Sequence, residues 1–353
     1  MFEFSRKIKA IVIDDSSLVR NILTDLLQSD GNIEVIATGK TGLECVELAE
    51  KYLPDVITLD IEMPIMDGLT ALEKLKEKNI KVAVIMLSVL TQHGANATFK
   101  ALELGAIDFV PKPSSAVKMD LNEIGSLLKS KILGYFDSEI KRKVPRQKIK
   151  VGNFPEVKKL PIKAIAIGTS TGGPMALHSI FKDFPEGFTL PIFVVQHMPQ
   201  GFTKAFADRL DEFSKVAVKE AENGEAITLG SAYIAPGNFH MKLIKKDISP
   251  SIELEQSILV NGHRPSIDVT FDSLRAIYGN AIIGVIMTGM GKDGANSMKR
   301  LKESGCSTIA QDEKTSVIYG MNKQAIETGG IDYIVPLNEI VPSILRIIKE
   351  RGN

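Results

Sequence analysis

The sequence has no tryptophan, only two cysteines and no net charge, since 43 basic residues balance 43 acidic ones over its 353 positions. This balance gives no overall attraction to nucleic acid or to an anionic membrane surface. Cys45 and Cys306 lie in periodic or apolar segments without the spacing of metal ligands. That placement favours core thiols over a disulfide or a zinc site.

Long apolar runs are also missing. Residues 1–10 carry mixed charge and are followed by only a short apolar run, too brief for a signal peptide or a membrane span. We therefore expect a cytoplasmic protein with no nucleic-acid partner and no direct membrane insertion.

The chain is long enough for two domains, since single domains usually span roughly 100–200 residues. From Lys9, apolar runs alternate with amphipathic segments in a βαβ pattern of five strands, with room for a last helix after Pro113. This α/β pattern predicts a flavodoxin-like, doubly wound parallel sheet over residues 1–125. It weakens over 126–160 and restarts after Pro161, which predicts a second doubly wound domain over 161–353.

The intervening stretch, residues 126–160, contains a basic, proline-broken run at 141–150. Such a run can bind nucleic acid or lipid, but no aromatic residue interleaves this one, so the pattern favours a solvated linker. Its beginning, from Glu123 to Ile140, is compatible with a helix that extends the first domain.

Three carboxylates, a hydroxyl and an amine follow the predicted strands of the first domain: Asp14, Asp15, Asp60, Ser88 and Lys112. Groups at the carboxyl ends of parallel strands converge at one edge of the sheet. Close carboxylates repel unless a divalent cation joins them, and Mg²⁺ prefers oxygen ligands. Asp60 is then placed to attack a phosphoryl donor. Alone, each residue is typical of a helix cap or a solvated loop; the five together disfavour that interpretation.

In the second domain, the apolar run 164–167 stops at Gly168-Thr169-Ser170-Thr171-Gly172, and Pro174 begins the next segment. This predicts a strand, a sharp turn and a helix. The turn would hold the Ser170 hydroxyl beside unpaired N–H groups of a helix start, which offers a nucleophile and anion-stabilising donors together. Turns of this composition also bind phosphate or merely reverse the chain.

A serine hydroxyl at neutral pH needs a base, and the chain has five histidines. Only His197 directly follows an apolar strand. If the strands that begin at Ile165 and Phe193 are neighbours, Ser170 and His197 emerge side by side. Asp293 follows another apolar run and is a candidate to orient the imidazole, or else the N-cap of the next helix.

The other histidines of this domain are weaker candidates. His178 lies inside a predicted helix, where a surface or packing role is expected, whereas His240 and His263 could line the pocket. Residues 220–259 have short apolar pieces separated by turns, including 232–237 and 241–244, which predict antiparallel hairpins.

One glycine-rich loop supports a competing hypothesis. Gly289-x-Gly291-x-x-Gly294 follows a strand, and Asp312 comes about twenty residues later, as in a dinucleotide-binding fingerprint. That interpretation leaves Ser170 unexplained. The order Ser, His, Asp also differs from that of α/β-hydrolases.

Residues 8 to about 125 resemble a response-regulator receiver domain. Four matches carry this resemblance: Asp14-Asp15, the run from Asp60 to Gly68, Ser88, and Lys112-Pro113. The resemblance implies that Asp60 is the phospho-acceptor. It also implies a Mg²⁺ ion held by Asp15, Asp60 and the backbone carbonyl of Glu62, with Asp14 in support through water.

The same resemblance implies that Ser88 receives a phosphoryl oxygen and that Lys112 pairs with it. The usual switch aromatic falls at Phe109, which lacks a hydroxyl group.

Residues 162 to about 348 resemble the catalytic domain of chemotaxis protein-glutamate methylesterases. The matching segments are 168–173, 196–202, 232–237, 263–269 and 288–294. The resemblance implies a triad of Ser170, His197 and Asp293, with Thr171 and Met290 beside it and backbone N–H groups serving the oxyanion. Thr169 stands where relatives are expected to carry alanine.

Together the resemblances imply a hydrolase of chemotaxis adaptation that removes methyl esters from glutamates of methylated chemoreceptors and deamidates receptor glutamines. No cofactor is implied for the catalytic domain. Phosphorylation of Asp60 by a chemotaxis histidine kinase is expected to relieve an inhibitory contact made by the receiver. The rival hypotheses are a nucleotide-binding oxidoreductase and a non-enzymatic signalling scaffold.

Overall fold

The computed structural model describes residues 6–29, 31–89, 92–112, 121–142, 160–246 and 249–352. The chain divides into two compact units, Met1–Glu139 and Ile140–Asn353. The expected bounds 1–125, 126–160 and 161–353 stay predictions. The basic run from 143 onward lies outside the described residues.

The first unit alternates strands and helices along its whole length. Its elements are β1 (Ile8–Ile13), α1 (Ser17–Gln28), β2 (Ile33–Gly39), α2 (Gly42–Tyr52), β3 (Val56–Asp60), α3 (Gly68–Glu77), β4 (Ala83–Ser88), α4 (Gln92–Leu104), β5 (Asp108–Pro111) and α5 (Leu121–Arg142). The strands form a parallel sheet in the order β2-β1-β3-β4-β5. This is the predicted flavodoxin-like sheet, and α5 continues through the start of the expected linker.

Local chemistry explains where helices α2 and α3 begin. The side chains of Thr41 and Asp67 accept hydrogen bonds from the N–H groups of Glu44 (3.1 Å) and Thr70 (2.7 Å), as N-caps do. At position 68 a Cβ atom would lie 2.0 Å from the carbonyl oxygen of Asp60. Only glycine therefore allows α3 to start so close to the end of β3.

The second unit contains a larger sheet and a separate hairpin. Its elements are β6 (Ala164–Thr169), α6 (Gly173–Asp183), β7 (Ile192–Gln196), α7 (Phe202–Asp211), β8 (Ala217–Glu220), β9 (Ser231–Ile234), β10 (His240–Lys246), β11 (Ser249–Glu255), α8 (Ile267–Tyr278), β12 (Ile282–Ile286), α9 (Ala295–Glu303), β13 (Ser307–Gln311), α10 (Met321–Glu327), β14 (Tyr333–Val335) and α11 (Ile340–Glu350).

Seven strands of this unit pair in parallel in the order β14-β13-β12-β6-β7-β9-β8. Every residue of β6, β7, β12 and β13 is buried. Strands covered on both faces carry continuous apolar runs without alternation, which is why the sequence revealed them. As expected, β6 and β7 are neighbours.

The hairpin prediction is right for one segment and wrong for another. Strands β10 and β11 pair antiparallel, with His240 opposite Glu255. Residues 232–234 instead belong to β9, which lies in parallel between β7 and β8. Their complete burial explains this placement, since a hairpin strand with a solvated face would alternate.

Both cysteines are free thiols in the core, as predicted. Burial raises the pKa of Cys45 to about 12 and that of Cys306 to about 11. Neither thiol is therefore ionised at neutral pH. Among the helices that the structure describes, none combines the length and apolar character needed to cross a bilayer.

Candidate active site and phosphoryl site

Ser170 lies immediately after β6, where two neighbouring segments hold its backbone. Its N–H donates to the carbonyl of Thr288, 3.0 Å away, beyond the end of β12. Its own carbonyl accepts hydrogen bonds from the N–H of Gly173 (2.8 Å) and from Nε2 of Gln196 (3.1 Å), the last residue of β7. Three adjacent strand ends thus fix the position of this serine.

Two glycines give the Ser170 turn its shape. Gly172 adopts a φ of +76°, and a Cβ there would lie 2.5 Å from the Val317 side chain. At Gly289, a Cβ would lie 2.7 Å from the Cβ of Ser170. A larger residue at Gly172 would strain the turn and collide with Val317, and one at Gly289 would collide with Ser170 itself.

His197 follows β7, and its ring faces Asp293. Its N–H donates to the carbonyl of Thr169 at 3.1 Å, which ties it to the strand that carries Ser170. Ring atom Nε2 lies 2.9 Å from Oδ2 of Asp293. A carboxylate can only accept here, so in the neutral imidazole Nε2 carries the proton and Nδ1 has the lone pair. Nδ1 is buried and has no hydrogen-bond partner within the described part of the chain.

Asp293 is buried at the centre of a set of donors. Besides His197, its carboxylate accepts hydrogen bonds from Nδ2 of Asn261 (2.8 Å), Oγ of Ser266 (2.8 Å) and the N–H of Ile267 (2.7 Å). Burial by itself raises the pKa of Asp293, but the hydrogen bond and charge of His197, with the donors Asn261 and Ile267, outweigh it and lower the pKa to about 2. The carboxylate is therefore ionised at neutral pH.

The alternative that Asp293 is the N-cap of the next helix is wrong. The N-cap of the following helix, α9, is Gly294, with no side-chain cap. Asp293 instead accepts the N–H groups that open α8, whose own N-cap, Ser266, makes no cap hydrogen bond with its side chain. One carboxylate thus contacts both His197 and a helix start.

Sequence reasoning did not assign roles to Asn261 or Ser266, although both contact Asp293. Ser266 lies within segment 263–269, which matches the methylesterase family, so the sequence did indicate that it lies near the site. Asn261 lies outside every matched segment. Only its pairing with Gly262 as a turn signal marked this position.

The other histidines of this unit have distinct surroundings. His240 is fully buried; its Nε2 contacts the carbonyl of Ile258 at 3.0 Å, and its Nδ1 accepts the N–H of Ser266 at 3.2 Å. It therefore braces the loop before α8. His178 packs edge-on against Phe213. His263 stacks on His197, with ring centroids 3.8 Å apart and planes 11° apart.

Thr171 and Met290 are the expected neighbours of the site. Thr171 follows Ser170 in sequence, and Met290 follows Gly289. Within the described residues no hydrogen bond is found from the N–H of either one. Thr171 also accepts a hydrogen bond from Oγ1 of Thr288 at its carbonyl, 2.9 Å away. Two donors are thus left without a protein partner, in the part of the chain that the structure describes, near the serine.

Asp312, the acidic residue of the dinucleotide alternative, caps its own turn. Its carboxylate accepts hydrogen bonds from the N–H and Oγ1 of Thr315, at 3.0 and 2.6 Å. A ribose-binding carboxylate should face the glycine-rich loop instead. The glycine of that loop nearest the serine, Gly289, is explained by its packing on Ser170.

In the first unit, Lys112 lies between two carboxylates. Its Nζ is 2.6 Å from Oδ2 of Asp14 and 2.6 Å from Oδ2 of Asp60. Burial by itself lowers the pKa of Lys112, but Asp60 and Asp14 outweigh it and raise the pKa. For Asp60, burial raises the pKa to about 6 despite the opposing effect of Lys112, and Asp14 and Asp15 add to the rise.

The donor set suits a divalent cation. One carboxylate oxygen each from Asp14, Asp15 and Asp60 lies within 4.8 Å of the others. Hard oxygen ligands of this kind favour Mg²⁺. The side chain of Glu62 lies outside this cluster, and the predicted role of its backbone carbonyl stays a prediction.

Ser88 is buried at the end of β4. Its Oγ accepts a hydrogen bond from Oγ1 of Thr98 at 2.6 Å, and its carbonyl accepts the N–H of Lys112 at 2.7 Å. The backbone thus joins Ser88 to Lys112, while the hydroxyl is engaged with α4. Phe109 is buried in β5.

Known proteins resemble the chain over its two units. A sequence model of the CheB methylesterase matches residues 165–344, and one of the response regulator receiver domain matches residues 10–121. A Pyrococcus horikoshii protein named protein-glutamate methylesterase/protein-glutamine glutaminase is 45% identical, covering 99% of this chain and 96% of the relative. A Clostridium acetobutylicum protein of the same name is 41% identical, with coverages of 97% and 98%.

A solved structure supports the fold of the second unit. The CheB methylesterase catalytic domain of Thermotoga maritima matches with a TM-score of 0.52 at 44% identity. The match covers 53% of this chain and 100% of that chain.

Proposed function

Because the chain belongs to the CheB methylesterase family, we propose that it hydrolyses methyl esters of glutamate side chains in chemoreceptors. One observation carries the chemistry: Nε2 of His197 is held by Asp293, and Nδ1 is buried without a partner within the described residues. A histidine with one ring nitrogen held by a carboxylate and the other without a partner, next to the strand that Ser170 follows, is the arrangement that activates a serine.

In this mechanism, Nδ1 of His197 takes the proton of the Ser170 hydroxyl as the serine oxygen attacks the ester carbonyl. The proton then passes to the departing methoxide, which leaves as methanol, and the glutamyl group stays on the serine as an ester. Water attacks this ester with His197 again as the base. The products are the free glutamate side chain and regenerated Ser170.

Asp293 and the backbone supply electrostatic support. When His197 gains a proton, the ionised carboxylate of Asp293 stabilises the imidazolium. The N–H groups of Thr171 and Met290 are proposed as donors to the carbonyl oxygen as it becomes negative. Donors already aimed at that charge typically change the rate by about 10²–10³-fold each.

Receptor glutamine is the second proposed substrate. Its side-chain amide presents the same carbonyl to Ser170, and the leaving group is ammonia rather than methanol. The relatives' name includes glutaminase activity, which supports this extension. Amide cleavage needs proton donation to the leaving nitrogen, which protonated His197 can provide.

The first unit is proposed to regulate this reaction in chemotaxis adaptation. Asp60 would accept a phosphoryl group from a chemotaxis histidine kinase, and Ser88 and Lys112 would bind its oxygens. Asp14, Asp15, Asp60 and the Glu62 carbonyl would hold Mg²⁺, which supplies positive charge against the phosphoryl oxygens. A cytoplasmic location is part of this proposal.

The direct test is methanol release from methylated chemoreceptor by the purified full-length chain. Ser170→Ala is the matched control, because it removes only the hydroxyl. Release by the parent and none by the variant is expected. A parent that releases no methanol, or a variant that equals it, would contradict the proposed function.

A further inference from the structure

A tight turn ahead of α8 contacts both members of the His197–Asp293 pair. Val260 and His263 exchange two backbone hydrogen bonds, of 3.1 and 3.0 Å, around Asn261 and Gly262. Asn261 and Gly262 have φ values of +53° and +81°. Two positive φ values in succession identify a type I′ turn, for which Asn-Gly is the preferred sequence.

Asn261 joins two carboxylates with one amide nitrogen. Its Nδ2 donates to Oδ1 of Asp293 at 2.8 Å and to Oδ2 of Asp268 at 2.9 Å. The amide has two hydrogens, so each carboxylate receives one. The shared donor therefore holds the two carboxylates in fixed positions relative to each other.

The second carboxylate is itself anchored. Oδ1 of Asp268 accepts the N–H of Ser297, 2.8 Å away in the first turn of α9. Asn261 therefore fixes Asp293 relative to two helices, α8 through Asp268 and α9 through Ser297. The position of the Asp293 oxygen that faces His197 follows from this arrangement.

His263 acts on the imidazole from the same turn. Its ring lies over the face of His197 at 3.8 Å, nearly parallel. The contact between Nε2 and Asp293 alone leaves the ring of His197 free to tilt about that hydrogen bond. The stacked ring removes this freedom, so the direction of Nδ1 is set as well.

The turn is held firmly by contacts on both sides. Arg264 donates to the carbonyl of Ser257 at 2.5 Å and to Oδ1 of Asn238 at 2.5 and 3.1 Å. His240 contacts the carbonyl of Ile258 at 3.0 Å. Because these contacts hold the turn in place, Asn261 and His263 have fixed positions against Asp293 and His197.

We infer that Asn261 and His263 are positioning residues for the hydrolysis, one holding the carboxylate and the other the imidazole of the His197–Asp293 pair. This inference rests on the proposed function for its kinetic part. Neither residue is assigned a proton transfer.

Asn261→Gly is the informative variant. Glycine tolerates the positive φ and suits a type I′ turn, so the backbone is kept while the amide is lost. Asn79→Gly is the matched control, because Asn79 has a φ of +55° and lies exposed in the first unit. We expect Asn261→Gly to lower kcat by about 10- to 100-fold with little change in KM, and Asn79→Gly to equal the parent.

A proton resonance supplies the second readout. The Nε2–H of His197, hydrogen-bonded to a buried carboxylate, should give a downfield signal that is absent from His197→Ala. We expect Asn261→Gly to shift or broaden this signal. An Asn261→Gly protein with parental kcat would overturn the inference, as would one that loses activity and melting temperature together while the signal stays unchanged.

For His263, two variants separate stacking from other roles. His263→Phe keeps a flat ring over His197, whereas His263→Ala removes it. We expect the alanine variant to be about 10-fold slower and the phenylalanine variant to stay within about 3-fold of the parent. Equal losses in both variants, or no loss in either, would overturn the positioning role.

The proton signal also separates this inference from the proposed function, because it needs no substrate. If the parent releases no methanol, the proposed function fails, whereas the signal in Asn261→Gly still tests whether Asn261 positions Asp293.

Discussion

Asp293 and Asp268 cap each other's helices. Asp293, two residues before α9, accepts the N–H of Ile267 at the start of α8. Asp268, in the first turn of α8, accepts the N–H of Ser297 in the first turn of α9. The carboxylate proposed to orient His197 is therefore also part of the joint between two helices.

This joint explains why Asp293 can be both buried and ionised. A charged carboxylate inside a protein is tolerated when several donors satisfy it and a helix start faces it. Both conditions hold here, since a helix N–H and two side chains besides His197 donate to it.

The first prediction concerns the nucleophile and the base. Ser170→Ala and His197→Ala should each remove essentially all methanol release, because such residues act as a unit and each loss costs several orders of magnitude. Thermal unfolding of Ser170→Ala should stay close to that of the parent, whereas His197→Ala should still fold but be less stable, because it removes a donor to the buried carboxylate of Asp293. Turnover near the parental rate in either folded variant would contradict the assignment.

The second prediction concerns Asp293→Asn. The variant should keep more turnover than Ser170→Ala, since Asp293 orients the imidazole rather than reacting. It should also be less stable, because an amide offers a single acceptor oxygen to the helix start. An unchanged rate would leave Asp293 with the capping role alone.

Asp293 also predicts how stability depends on pH. Its pKa in the folded chain, about 2, lies below the ordinary value of 3.8. The ionised carboxylate of Asp293 therefore adds about 2 kcal/mol to the free energy of unfolding above pH 4. This contribution is lost as the pH falls toward 2. Between pH 6 and pH 3, the free energy of unfolding in urea should fall more for the parent than for Asp293→Asn. Equal falls in the two proteins would refute the prediction.

Sequence reasoning located the strand ends better than the loops between them. Ser170 and His197 each follow a fully buried strand, and a continuous apolar run makes such strands recognisable. Residues 232–234 were misassigned because short length and nearby turn residues resemble a hairpin. Their position between β7 and β8 depends on long-range pairing, which local pattern does not encode.

Contacts made through helix starts were not predictable either. Asn261 and Asp268 reach Asp293 across more than twenty positions of sequence. The local sequence around the Asn261-Gly262 turn does not indicate that it contacts a carboxylate so far along the chain. In the first unit, by contrast, every member of the acidic cluster lies at a strand end, where topology alone brings them together.

The fourth prediction concerns Asp60→Asn. The pKa of Asp60 in the folded chain, about 6, lies above the ordinary 3.8, so the charged form is disfavoured by folding. The effect of pH on stability is thus opposite to that of Asp293. Asp60 does not reduce the free energy of unfolding below pH 4, and it reduces this free energy as the pH rises through 6. At pH 7 to 8 in chelator, Asp60→Asn should be more stable than the parent by about 1–3 kcal/mol. Equal or lower stability of the variant in urea unfolding would contradict this prediction.

Magnesium provides the control for that variant. A cation among the three carboxylates offsets their repulsion, so Mg²⁺ should raise the melting temperature of the parent and raise that of Asp60→Asn much less. Ca²⁺ at the same concentration tests whether the effect needs the smaller ion. Identical Mg²⁺ responses in parent and variant would place the ion elsewhere.

The last prediction links the two units through activity. If phosphorylation of Asp60 controls the hydrolase, a small phosphodonor with Mg²⁺ should raise methanol release by the full-length chain. Coupling between sites is typically about 1–3 kcal/mol, so a rise of roughly 5- to 150-fold is expected. Asp60→Asn is the control: it should keep the basal rate of the unphosphorylated parent and ignore the phosphodonor. A variant that still responds would show that the donor acts through another group, and a parent that becomes phosphorylated on Asp60 without a change in rate would show that the receiver does not regulate this reaction.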